Sequence, residues 1–184
     1  MRRLAGILCV AAGLSGCGNA RTRPPDIRHP DAPLGTRPYD YKQAGVAFTA
    51  PANWQELAPA AALVGGVRNK TATVAVWRYP RSEPLPSGRA DLEKVRGLLV
   101  GRVKLRDPAF VVRTSRIRRR GGARGIELVG RQTIAGLPYD VRSEHLFKAG
   151  AEVVVDAYAP RAEFRRVDRT VFKPLLRSLK VTAP

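Results

Sequence analysis

The sequence predicts an α/β protein of the α+β kind, in which an antiparallel β-sheet of about six strands is sandwiched by helices. Three observations carry this. Between Phe110 and Pro160, period-two segments alternate with glycine turns at Gly121-Gly122, Ala135-Gly136 and Lys148-Ala149-Gly150, the last suiting a three-residue loop with glycine in the left-handed position, the pattern of a meander. Two other stretches, one from about Arg89 and one from Arg161 to about Leu179, carry apolar residues at helical spacing. The 184 residues are enough for one domain with a good core and call for no second one.

The N-terminus has a layout of its own. Arg2 and Arg3 precede an apolar run, Leu4 to Leu14, and the small residues Ser15-Gly16 stand before Cys17, as in an export signal. A helix over that run would reach ~16 Å against a hydrocarbon core of ~30 Å, so residues 1–16 are expected to be removed rather than to span a membrane. Leu14-Ser15-Gly16-Cys17 resembles the lipobox of bacterial lipoproteins. The resemblance implies that Cys17 becomes the new N-terminus and carries a diacylglyceryl thioether and further acyl chains such as palmitate. Each buried CH₂ contributes ~0.8 kcal/mol, so two or three chains anchor a protein durably where one does so marginally. The location implied is the cell membrane, lipid-anchored, on the extracytoplasmic face. The alternative is an ordinary secretory signal with an incidental cysteine. With Cys9 removed and Cys17 acylated, no thiol remains for a disulfide, a metal or redox work.

Residues 17–40 read as a lipid-attached tether. The stretch Arg21-Thr22-Arg23-Pro24-Pro25-Asp26 and the prolines that follow lack apolar periodicity and cannot order themselves. A coil of this length holds the domain on the order of 25 to 30 Å from the lipid. Arg21, Arg23 and Arg28 lie near an anionic leaflet, and His29 reads as a solvated side chain.

The globular domain, 41–184, is expected to begin with a strand at Val46-Ala47-Phe48-Thr49-Ala50, stopped by Pro51-Ala52-Asn53 before Trp54. Residues 61–68 and 72–79 read as the next two strands, and the loop Pro80 to Pro86 breaks the sheet pattern. The first helix puts Leu92, Val95, Leu99 and Val103 on one stripe and closes at Asp107-Pro108. In the meander, pairing around the last two turns places Ile126, Leu128, Tyr139, Val141, His145, Phe147, Val153, Val155 and Ala157 on one face. The other face then carries Arg131 opposite Asp140, Arg142 opposite Asp156, and Glu127 opposite Glu144 with Arg116 as neighbour. That carboxylate pair could serve as an acid/base dyad, as calcium ligands, or as a pair neutralised by arginine. In the closing helix Phe164, Val167, Val171, Phe172, Leu175 and Leu176 cover the sheet while Arg165, Arg166, Arg169 and Arg177 face away; a basic amphipathic helix can also lie on a membrane. Ser178 to Val181 adds a short terminal strand.

These features together resemble the PsbP-like fold, named for the extrinsic photosystem protein and shared by a nuclear Ran-binding protein and many bacterial lipoproteins. The matching segments are Val46 to Trp54, the helix after the first hairpin, the meander, and the closing helix ending in Ser178-Leu179-Lys180-Val181. The resemblance covers about residues 41 to 182 and implies an antiparallel sheet between helical layers, with binding or assembly roles and no catalytic residues.

Charge and motifs bound the function. Loss of Arg2 and Arg3 lowers the formal charge from +18 to +16, which suits anionic partners and is also what an arginine-rich codon bias would produce. Nucleic acid is set aside, since an exported protein does not meet it and the aromatic residues are too scattered for a stacking platform. There is no G-x-S-x-G elbow, no H-E-x-x-H and no phosphate-binding glycine loop, so no enzyme, cofactor or metal site is expected. His145, placed between Ile126 and Val153, reads as a core histidine. The expected function is a non-catalytic binding or assembly module for another exported or envelope protein. The alternative is a carrier or sensor of anionic lipid or cell-wall polymer through Arg116, Arg118, Arg119, Arg120, Arg165, Arg166 and Arg169.

Overall fold

The structure, a computed structural model, describes residues 26–184; residues 1–25, on which the expected export segment and Cys17 fall, lie outside it. The chain runs through β1 (Arg37–Tyr41), a 3-10 turn (Lys42–Ala44), β2 (Val46–Ala50), β3 (Gln55–Leu57), β4 (Leu63–Asn69), β5 (Ala72–Pro80) and α1 (Arg89–Arg106). The meander follows as β6 (Val111–Arg120), β7 (Ala123–Ile134), β8 (Leu137–Lys148) and β9 (Ala151–Pro160). The closing helix begins as α2 (Arg161–Val167), continues through a π-helical turn (Asp168–Phe172) into α3 (Lys173–Ser178), and leads to β10 (Lys180–Val181). Seven strands form one antiparallel sheet in the order β3-β4-β5-β9-β8-β7-β6, and β1-β2-β10 form a second, three-stranded sheet.

The apolar pattern decides the layers. Val74 and Val76 of β5, Leu146 of β8 and Val153, Val155 and Ala157 of β9 share a core with the small sheet and with Phe164, Val167, Val171, Phe172, Leu175 and Leu176. The predicted stripe of the closing helix is thus buried, and Phe172 is 0% exposed. On the opposite face a smaller cluster, Leu92 of α1 with Ile126 and Leu128, is flanked by Val95, Leu99 and Val103. The sheet lies between helices as expected, but it is larger, and the small sheet shares one of its covers.

Two expectations need correction. The tether was expected to reach residue 40, yet Arg37–Tyr41 is strand paired with β2, because Tyr39 is buried and stacks on Phe48 with ring centroids 5.2 Å apart. Earlier still, Lys70 binds Asp31 at 2.6 Å and Thr71 Oγ1 donates to the Arg28 carbonyl, so this stretch is laid along the β4–β5 turn.

The second correction is one of register. Ala149-Gly150 is a two-residue turn with φ of 51° and 66°, and Lys148 pairs with Ala151. Turns with two positive φ values match the right-handed twist of the strands, which the expected three-residue loop does not offer here. A slip of one residue flips every side chain of a strand. Val153, Val155 and Ala157 therefore face the closing helix, while Glu152, Val154, Asp156 and Tyr158 share the α1 side with Val141 and His145. Arg142 stands opposite Ala157, not Asp156, and the β9 neighbour of His145 is Val154, not Val153.

Candidate functional site

On the α1 side, the helix packs most closely on β6 and β7 and stands off from β8, β9 and β5, with a groove between. The groove has a volume of about 510 Å³. Its apolar wall includes Leu99, Val103, Phe110, Leu128 and Val154; Tyr79 and Tyr158 stand on the sheet, and Arg81, Arg102 and Arg106 are also at the groove.

The floor carries a hydrogen-bonded chain that the corrected register creates. Ser143 Oγ donates to Asp156 Oδ1 at 2.6 Å and lies 3.2 Å from His145 Nε2. His145 Nδ1 is 2.7 Å from Glu152 Oε1, and the Arg81 guanidinium binds the other oxygen of Glu152. Burial raises the affinity of Glu152 for a proton, but the bonds from His145 and Arg81 outweigh it and hold the carboxyl below its ordinary value. Ser143, His145 and Glu152 follow the order of nucleophile, base and orienting carboxylate. The chemistry differs, because the one Ser143 proton is already given to Asp156. β8 is also paired on both edges, so its backbone N–H groups are engaged in the sheet rather than aimed at a developing oxyanion. What the chain does is fix the shape and charge of the floor.

The opposite face holds the predicted carboxylate pair, and Glu127 does stand across from Glu144. Arginines occupy the space between them and the closing helix. Arg142 binds Glu127 and grips Asp168 with Nε at 2.7 Å and Nη2 at 3.1 Å, while Arg120 reaches Glu144 at 3.2 Å. Asp168 is the first residue of the π-helical turn of the closing helix. Glu144 is 0% exposed; burial pushes its carboxyl above the ordinary range, against the pull of Arg120. Guanidinium groups here fill the places a calcium ion or a substrate proton would need, so the arrangement is a buried ionic network. Arg116, opposite Glu127 as expected, is exposed.

The arginines anticipated as anion contacts do not form one patch. Arg118 and Arg120 serve the buried network. Arg119 lies on the α1 side, directly across from Arg124, and with Arg89 lines a second cleft of about 790 Å³. Arg165, Arg166 and Arg169 belong to the closing helix, where Arg166 is occupied by Glu163 and the Pro30 carbonyl. Sequence reasoning missed Arg89, Ser143 and Glu152, took Arg124 only as the end of the basic Arg113 to Arg124 strand and turn, and gave Asp156 to Arg142 instead of Ser143. The Arg119-Arg124 pairing was readable by counting outward from Gly121-Gly122; the groove chain depended on the β8–β9 register.

Comparison with solved structures gives the fold its relatives. Cyanobacterial PsbP (CyanoP) from Synechocystis superposes with a TM-score of 0.62 at 13% identity, covering 92% of this chain and 99% of its own. The fold is PsbP-like. LpqN of Mycobacterium tuberculosis, involved in cell envelope biogenesis, matches at 0.55 with 15% identity over 80% of this chain and 91% of its own. The Ran-binding protein Mog1p of Saccharomyces cerevisiae matches at 0.55 with 7% identity over 82% and 97%. No protein-family model and no curated protein matches the sequence. Among the described residues no helix of this PsbP-like chain is long and apolar enough to cross a membrane, and no group of three or more His, Cys, Asp or Glu side chains is placed to hold a metal.

Proposed function

We propose that this PsbP-like chain is a lipid-anchored extracytoplasmic module, attached through Cys17, that binds a segment of another envelope protein without catalysing a reaction. The observation that carries the reading is the incomplete cover of the sheet: α1 stands off from β8, β9 and β5 and leaves a groove of about 510 Å³. Its wall is apolar and aromatic, and Arg102 and Arg106 stand on α1 at its rim. The segment that suits it carries an apolar side chain beside a carboxylate. LpqN and Mog1p lend support as an envelope protein and a binding protein on the same fold.

The test is affinity capture from detergent-solubilised native membranes with the wild-type chain and with Arg102→Glu/Arg106→Glu. A defined partner should be retained by the first and reduced at least about tenfold by the second, as like charges now face each other. Equal recovery by both, or by Cys17→Ala displaced from the membrane without consequence for capture in cells, would count against it. A second reading, a carrier or sensor of anionic lipid or cell-wall polymer, is favoured by one observation: Arg119 and Arg124 face each other with no carboxylate between them.

A further inference from the structure

We propose that the cleft between the start of α1 and the β6–β7 turn binds a phosphate group, carried by an anionic lipid headgroup or free in solution. The proposal deepens the second reading above and rests on it. Register fixes the pair first. Arg119 and Arg124 are directly opposed, one residue outside the Arg120-Ala123 pair that closes on Gly121-Gly122. Ile117 and Ile126, on the same face, pack with α1, so both arginine stems rise on the α1 side. Like charges directly opposed across strands destabilise a sheet, and among the described residues neither arginine has a carboxylate partner.

Arg89, the first residue of α1, lines the same cleft, while Leu92 one turn on is buried against the strand cluster and seats the helix there. The helix end itself is already capped: Asp91 Oδ2 accepts from the Ser87 and Gly88 N–H groups, so the cation of interest is guanidinium, not the helix terminus. Glu93, the carboxylate in the cleft, is held by Arg96 at 2.7 Å. Among the described residues Arg89, Arg119 and Arg124 form no ion pair. Arg118 and Arg120 also line the cleft, but their guanidinium groups lie 3.6 Å from Glu127 and 3.2 Å from Glu144 on the other face. Arg89, Arg119 and Arg124 line one cleft whose carboxylate, Glu93, is taken by Arg96; their planar forks suit phosphate oxygens, and about 790 Å³ is room enough for a headgroup phosphate.

The test uses the full chain carrying Cys17→Ser, so that no acyl chain supplies binding. Thermal unfolding is followed in inorganic phosphate and in chloride of equal ionic strength. Phosphate should raise the midpoint above chloride, and Arg119→Gln/Arg124→Gln should abolish the rise while unfolding at an equal or higher temperature in chloride. Arg165→Ala/Arg169→Ala, on the closing helix, should keep it. In parallel, phosphatidylglycerol vesicles should be preferred to phosphatidylcholine vesicles, and the Arg119/Arg124 variant should lose roughly 30-fold in affinity, equivalent to ~1 kcal/mol per arginine. Phosphate stabilisation together with vesicle preference supports a lipid headgroup as the source; stabilisation alone supports free phosphate. A wild-type chain with neither response overturns both the site and the anion reading. Responses that survive in the Arg119/Arg124 variant but vanish in the Arg165/Arg169 variant overturn the site alone. Should the double variant melt early in chloride, the single Arg124→Gln serves in its place under the same criteria.

Discussion

The two faces of the seven-stranded sheet carry similar charged residues and treat them differently. Beneath the closing helix, Arg118, Arg120 and Arg142 all meet carboxylates, and Glu144 is sealed from water. Beneath α1, the lid is narrow, a groove stays open, and Arg119 and Arg124 meet no carboxylate. The width of the cover makes the difference. Where the closing helix covers β8, Glu144 and Arg142 are buried and need ionic partners; toward β6, and beneath α1, the arginines stay solvated, where a ligand can reach them.

That contrast can be broken most severely from the covered side. Arg142→Ala leaves Glu127 and Asp168 buried without their main partner and should destabilise by about 3–5 kcal/mol in urea unfolding. Phe172→Ala, in the main core, should cost a comparable ~3–5 kcal/mol. Leu92→Ala, in the thin cluster beneath α1, should fall at the lower end of about 2–5 kcal/mol, because a half-covered site collapses more readily around a cavity.

Glu144 and Glu152, both buried, should respond to pH in opposite senses. Glu144 has a raised folded value, so the unfolded chain deprotonates first, and stability falls as pH rises from the ordinary 4.5 to that higher value. Glu144→Gln should remove this loss and gain most, relative to wild type, above the window. Glu152 has a lowered folded value, so its contribution is present above 4.5 and is lost as pH falls through the lower value. Glu152→Gln should therefore destabilise at neutral pH and lose its effect in acid. Unfolding free energies measured across pH for the two variants check both signs. The smallest effect expected is that of Arg124→Gln, which relieves the opposed arginines and should stabilise the anion-free chain by about 0.2–1 kcal/mol.

Much of this was readable in advance because period and turn chemistry agreed. The three glycine turns, the α1 stripe and the closing helix were visible as patterns, and the Glu127-Glu144 pairing followed from the Ala135-Gly136 turn. β1 was hidden because only Tyr39 of its five residues is buried and Pro38 sits beside it. β3 is three residues long, too short for alternation to show. The groove was hidden by a single ambiguity. Lys148-Ala149-Gly150 can close as a two- or a three-residue loop, and the choice depends on whether Ala149 accepts a positive φ, which sequence does not reveal. That one-residue shift decides whether His145 meets Glu152 and whether Ser143 meets Asp156. It also takes Asp156 off the face of the buried network, where the β7–β8 register puts Glu144.

The open face is where a partner should sit, and site-specific photocrosslinking in native membranes tests this most directly. A crosslinker at Tyr79, beside the groove, is compared with one at Arg165, exposed on the closing helix. A defined protein adduct from Tyr79, absent from Arg165 and lost with Arg102→Glu/Arg106→Glu, is the predicted result. Equal adducts from both positions, or adducts from Arg165 alone, would contradict it.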